Sequence, residues 1–246
     1  LENMSDFYII ANLKMNKSIE ESKSYLNLLK ENIQNYNNEI VICPSSISLF
    51  HFANEIQDMR LGIQDIDHRE QGQGTGSISA SQVKDICEFA IVGHSERRET
   101  FFENNKILSE KLQILWKHNM TPIFCIGENQ KVRDKGFKAV KKHIDKQLRD
   151  SLCEDSKWEN LLVAYEPIWA IGTGLSASPE QATEVISLIH EIVKEISGGI
   201  DVPILYGGSV NEDNHLDFKN EEKINGLLIG SACLDPITFS KIINKS

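Results

Sequence analysis

No two cysteines of this chain stand in a CxxC spacing, and their number is odd: Cys43, Cys87, Cys125, Cys153 and Cys233. That argues against a zinc ribbon or a paired disulfide framework and predicts a reduced, cytoplasmic setting. Long apolar runs are missing as well. None approaches the roughly 18 residues of a membrane helix, and no signal peptide is expected at the start. Residues 1–3, ahead of Met4, read as a cloning remnant. Positive charge is scarce, with 26 Lys and Arg against 36 Asp and Glu, a net charge of -10. No nucleic-acid or anionic-membrane surface is therefore expected, and an anionic substrate would have to be drawn by local groups. The seven histidines include no HExxH or other convincing ligand spacing, so no metal is expected. Short repeats and low-complexity tracts are absent too.

What is present is a regular alternation. Apolar runs of strand length occur near 7–12, 39–43, 60–64, 89–93, 122–127, 160–166, 203–207 and 226–230. They are nearly continuous in Val, Ile and Leu, as in parallel strands covered on both faces. Helical patterns lie between them. Ser18 with Glu21 forms a capping-box pattern, Ser178-Pro179-Glu180-Gln181 and Asp235-Pro236 are further helix starts, and Ser197-Gly198-Gly199 is a stop. Residues 104–118 and 137–152 are amphipathic. Pro122 and Pro203 fall at strand starts, where a missing donor is tolerated. Eight such units without a break predict an α/β fold, one (β/α)₈ barrel over residues 1–246. An open doubly wound sheet would more naturally carry GxGxxG after its first strand, where Asn12-Leu13-Lys14-Met15-Asn16 stands instead.

Barrels of this kind place their chemistry at the C-terminal ends of the strands. Here those ends carry Asn12 and Lys14, then "GHSERR" with His94 and Glu96, then Glu166, then the glycine turns "YGGSV" (206–210) and "IGSA" (229–232). Taken singly, each has a plain reading. Lys14 fits a solvated lysine, His94 a capped helix start, Glu166 an ion pair with an arginine. Arg97 and Arg98 read as structural ion-pair partners and Cys125 as a small hydrophobe. The two glycine turns tell more together. Loops after the seventh and eighth strands are the recurrent phosphate site of such barrels, and backbone N–H groups hold phosphate without a basic protein.

The stretches "NLKMN", "GHSERR", "AYEPIWAIGTG" and "YGGSV" together resemble the triosephosphate isomerase family, from the first strand to the last helix. The resemblance implies interconversion of dihydroxyacetone phosphate and glyceraldehyde 3-phosphate without a cofactor. It implies Glu166 as the base, His94 polarising the carbonyl, Lys14 and Asn12 stabilising charge, and Glu96 in the surrounding polar network. It assigns the phosphate to the backbone of Gly172, Ser209, Gly230 and Ser231, under a lid at 167–175. Pro167, Ile168 and Trp169 would then seal Glu166 from water, and electrostatic contacts strengthen when water leaves. The stretch 65–78 has no apolar periodicity. By composition it reads as a flexible surface loop; the resemblance implies a homodimer in which this loop, with Thr75 at its tip, inserts beside the partner's site.

Several positions depart from the family pattern: Leu13 for tryptophan, Asp65 for asparagine, Leu175 for lysine, Asn225 for aspartate and Ser231 for glycine. None is a proton-transfer group. Two other readings stay open on sequence grounds. One is a barrel isomerase for a larger sugar phosphate; the other is an inactive phosphate-binding barrel.

Overall fold

The computed structural model describes residues 7–34, 36–153, 155–170 and 177–246. Its first half runs β1 (Tyr8–Asn12), α1 (Ile19–Asn32), β2 (Glu39–Cys43), α2 (Leu49–Glu55), β3 (Arg60–Ile63), α3 (Ala80–Val83), β4 (Phe89–Val92), α4 (Ser95–Thr100) and α5 (Asn105–Lys117). The second runs β5 (Thr121–Ile126), α6 (Gln130–Arg133), α7 (Phe137–Ser151), β6 (Leu162–Tyr165), α8 (Pro179–Ile196), β7 (Ile204–Tyr206), α9 (His215–Lys219), β8 (Gly226–Ile229) and α10 (Pro236–Lys245). Each strand pairs in parallel with the next, and β8 pairs back to β1, so the sheet closes as the sequence predicts. Among the described residues, no helix is long and apolar enough to cross a membrane.

Strand parity divides the core in two. Side chains at every second strand position fill the barrel interior: Ile10, Val41, Cys43, Phe89, Ile91, Ile123, Cys125, Leu162, Ala164, Leu205 and Leu228. Their neighbours, such as Ile9, Ile40, Ala90, Phe124, Val163, Ile204 and Leu227, join the layer beneath the helices. Both faces are apolar, which is why the strands read as unbroken hydrophobic runs. Cys125 is fully buried among them, a small hydrophobe as expected.

The helix signals act as read. Ser18 and Glu21 form a reciprocal capping box on α1, and Ser178 and Gln181 do so on α8, where Pro179 takes the first turn. Asp235 accepts the N–H of Thr238 to start α10. On α5 the buried stripe is Leu108, Lys111, Leu112, Leu115 and Trp116. A lysine inside that apolar stripe calls for buried anionic partners. The 65–78 segment is bonded within itself and to α5. Asp67 N–H donates to Ile78 O at 2.7 Å, Arg69 clamps Asp67, and Glu70 meets Lys117 and His118 at 2.6 and 2.8 Å. Thr75 is exposed.

Candidate active site

The interior parity continues past the strand ends and carries polar groups to the mouth of the barrel. Asn12 follows Ile10, and Glu166 follows Leu162 and Ala164, on the inward positions. Both line a cavity of about 470 Å³, shared with Lys14, His94 and the two glycine turns and floored by Leu228. This volume suits a small organic ligand. His94 falls on the wrong parity for an inward residue. Gly93 corrects it with φ of +74°, a left-handed conformation that glycine adopts freely.

Glu166 is 2 % exposed. Its Oε2 accepts the N–H of Ser95 at 2.9 Å, and Oε1 lies 3.0 Å from His94 Nε2. The sequence left an arginine as its plain partner; the observed partners are instead a histidine and the first N–H of α4. A helix start presents free N–H groups, so a buried carboxylate is stabilised there. His94 is itself the N-cap of α4, with Nδ1 accepting the N–H of Glu96 at 3.3 Å. That bond assigns the proton of a neutral ring to Nε2, pointing it at Glu166.

Lys14 has φ of +51°, and a non-glycine residue holds that conformation only where its surroundings enforce it. Two amide side chains do so. Lys14 N–H donates to Asn12 Oδ1 at 3.0 Å, and Gln64 Nε2 donates to Lys14 O at 2.8 Å and Cys43 O at 3.0 Å. The ammonium reaches Glu96 Oε1 at 2.6 Å. Partial burial pushes the Glu96 carboxyl up, but the Lys14 bond and charge outweigh it and hold it below its ordinary range. Arg97 pairs with Glu103 at 2.6 Å, as expected of a structural arginine. Arg98 does not: its guanidinium bonds the carbonyls of Gly93 and Cys125 and the side chain of Asn105 instead of a carboxylate. The buried C-terminal ends of β4 and β5 leave those carbonyls in need of donors.

At the other end of the cavity stand Gly207, Gly208, Ser209, Gly230 and Ser231. Ser209 Oγ donates to Ala170 O at 3.3 Å, tying the seventh loop to the segment after Glu166. A Cβ on Gly230 would stand 3.4 Å from Lys14 Cε, so the eighth loop packs closely on the lysine stem. The Ser231 side chain is exposed. Gly172, Leu175 and the remainder of the expected lid beyond Ala170 lie outside the described residues. Asn225, the departure before β8, still bridges β7 and β8: its Oδ1 accepts from Ile204 N at 2.9 Å, an acceptor role that needs no charge.

Four residues here have no assignment from the sequence. Ser95 holds Glu166; its only signal was its place after His94 at a helix start. Gln64 clamps Lys14. Gly127 passes so near Glu166 that a Cβ would meet Glu166 O at 1.7 Å. Glu128 is fully buried; its Oε1 accepts from Trp169 Nε1 at 2.9 Å and Tyr165 OH at 3.1 Å, with Arg133 at 3.3 Å. Burial raises the Glu128 carboxyl, against the pull of these donors. Trp169, one of the residues expected to seal the site, is thus anchored to a buried acid. Among the described residues no group of three or more His, Cys, Asp or Glu side chains is placed to hold a metal ion.

The family model described as triosephosphate isomerase matches residues 7–246. A triosephosphate isomerase of Flavobacterium psychrophilum is 41% identical, covering 96% of this chain and 97% of that protein. One of Dictyoglomus turgidum is 40% identical and one of Aquifex aeolicus 37%, with the same coverage.

Proposed function

The chain belongs to the triosephosphate isomerase family, and on that premise we propose that this isomerase interconverts dihydroxyacetone phosphate and D-glyceraldehyde 3-phosphate by proton transfer at carbon. The observation that carries this reading is the convergence of Asn12, Lys14, His94 and Glu166 with both glycine turns on one cavity.

In this mechanism Glu166 takes a proton from C1 of the ketone. The electron pair moves into the C1–C2 bond and onto the carbonyl oxygen. A proton beside a carbonyl is only weakly acidic, so the step needs a placed base and an electrostatic sink for the enediolate. His94 Nε2–H and the Lys14 ammonium are that sink, and Asn12 adds a hydrogen bond. Glu96 orients both, through its N–H to His94 and its carboxylate to Lys14. The proton then returns to C2 and the oxygens exchange theirs through His94. Carbon oxidation at C1 balances reduction at C2, so no redox cofactor enters, and no metal is needed while Lys14 and His94 carry the oxygen charge. The phosphate rests on the backbone of Ser209, Gly230 and Ser231, with Gly172 of the lid completing the cradle.

In a coupled assay, the purified chain is expected to turn over dihydroxyacetone phosphate without added metal or nucleotide. Sulfate should raise KM and leave kcat unchanged, as a competitor for the cradle. Faster turnover of a larger sugar phosphate would contradict the substrate assignment.

The same reading makes the chain a single-domain, cytoplasmic homodimer joined through loop 65–78. Exposed apolar side chains support this: Met15, Ile47, Phe50, Phe101 and Phe102 are all more than half exposed. Met15, Phe101 and Thr75 share a cleft of about 900 Å³ with Lys14 and Glu96. Phe102 also holds φ of +56°, a costly pose for a bulky residue. Exposed apolar side chains that share a cleft, as Met15 and Phe101 do, favour an interaction site. Sedimentation at micromolar concentration should give twice the chain mass of 27.8 kDa; a monomer would contradict it.

A further inference from the structure

Beside the catalytic groups lies a closed ring of four buried or half-buried charges. Lys111, only 2 % exposed, places Nζ 2.5 Å from Asp65 Oδ1 and 2.8 Å from Glu103 Oε1. Arg97 places a terminal nitrogen 2.9 Å from Asp65 Oδ2 and 2.6 Å from Glu103 Oε1. Acid and base alternate, and each base bridges both acids. The proposed proton transfer uses none of the four.

The ring's attachment points give it a role. Asp65 directly follows Gln64, whose amide holds Lys14 O. Arg97 directly follows Glu96, whose carboxylate holds Lys14 Nζ. The Asp65–Arg97 pair therefore fixes the separation between the two residues that grip Lys14 at its backbone and at its ammonium. It also fixes α4, whose first residue, Ser95, is bonded to Glu166 and whose N-cap is His94.

We propose that Asp65 is a positioning residue: in its ionised form it closes the ring and sets the placement of Lys14 and of the α4 start, so the charge state of Asp65 modulates turnover. This rests on the isomerase reading above and concerns how the same site is tuned. The groups facing Asp65 are Arg97 from α4, Glu103 from the following loop and Lys111 from α5. On its own loop, Asp67 is engaged by Arg69, with His68 beside it. Burial, against the attraction of Lys111, raises the Asp65 carboxyl to about 6, so its charge changes within a range where the protein can be assayed.

A folded-state value raised above the unfolded one adds stability that is fully present below about pH 4. That stability is lost as pH rises through about 6. Positioning runs the other way, because ionised Asp65 is the form that closes the ring.

The test compares the wild-type chain with Asp65→Asn, an isosteric change that removes the titration. Both are assayed for kcat/KM and thermal midpoint across the window around pH 6. The substrate phosphate titrates nearby, but equally for both proteins. The ratio of wild-type to variant kcat/KM should rise about threefold with pH, as expected for a coupled charge network. The wild-type thermal midpoint should meanwhile fall relative to the variant. A purely structural ring would move the thermal midpoint alone, and parallel kcat/KM profiles would overturn the proposal. Arg97→Lys keeps Asp65 but not the two-way bridge. It should retain the inflection with a lower alkaline plateau, and an unchanged plateau would likewise overturn the coupling. Wild-type activity is measured in the same series, so a failure of the isomerase assignment is seen separately.

Discussion

Glu166→Gln is expected to lower kcat by about three orders of magnitude, the range for removing a general base. The substitution isolates proton transfer because it preserves nearly everything else. An amide oxygen can still accept the N–H of Ser95, which now meets the carboxylate at 2.9 Å. The side chain keeps its size in a position only 2 % exposed. The thermal midpoint should therefore shift little while turnover collapses, since an amide cannot take up the C1 proton. The coupled assay and a melting curve on the same preparation check both halves. A loss smaller than about tenfold would remove Glu166 from the role of base.

Gly127→Ala is expected to damage stability and turnover together. The added Cβ would stand 1.7 Å from Glu166 O, 2.7 Å from its carbonyl carbon and 3.3 Å from its Cα. These are backbone atoms, so no rotamer change relieves the clash. The strands cannot simply part. Glu166 N–H donates to Ile126 O at 2.8 Å, and Gly127 N–H donates to Gln147 Oε1 at 2.9 Å. Overpacking of this severity costs about 3 kcal/mol or more. Any relaxation must move the Glu166 main chain, and a shift of about 1 Å at a catalytic group can cost roughly 10²-fold in rate. Urea unfolding and kcat measure the two effects. Gly207→Ala is the comparison for stability: its nearest contacts would be Glu166 Cγ at 3.2 Å and Tyr165 O at 3.3 Å, far looser than at Gly127, so it should cost less. Equal stability of Gly127→Ala and wild type would show that the two strands do not approach so closely.

The contrast between these two sites shows what a sequence can and cannot disclose here. The position of Glu166 at the cavity was legible because it ends an apolar strand and sits in a long, specific motif. The strands themselves were legible because both faces are buried and the helix starts carry capping residues. Gly127 was not legible as a contact, because its constraint comes from a different strand packed in space. Lys111 hid for a related reason: it falls on the apolar stripe of α5 with Leu108, Leu112 and Leu115, and only the tertiary fold brings Asp65 and Glu103 to it. Asp65 was visible as a departure that adds negative charge; its neutralisation by Arg97 and Lys111 was not. Arg98 was misjudged because local sequence cannot distinguish an arginine that meets a carboxylate from one that satisfies strand-end carbonyls. The 65–78 segment looked structureless by period, yet Asp67, Arg69 and Glu70 bond it internally and to α5.

Whether one buried carboxylate moves a proton on carbon is tested most directly by isotope exchange. Dihydroxyacetone phosphate is incubated with the wild-type chain in deuterium oxide and the products are read by proton NMR. A proton that visits Glu166 can exchange with solvent, so the aldehyde product should carry deuterium on C2, and Glu166→Gln should form this product about a thousandfold more slowly. Isomerisation by the wild-type chain with every carbon-bound hydrogen retained would show that no solvent-exchanging base carries the hydrogen and would contradict the account.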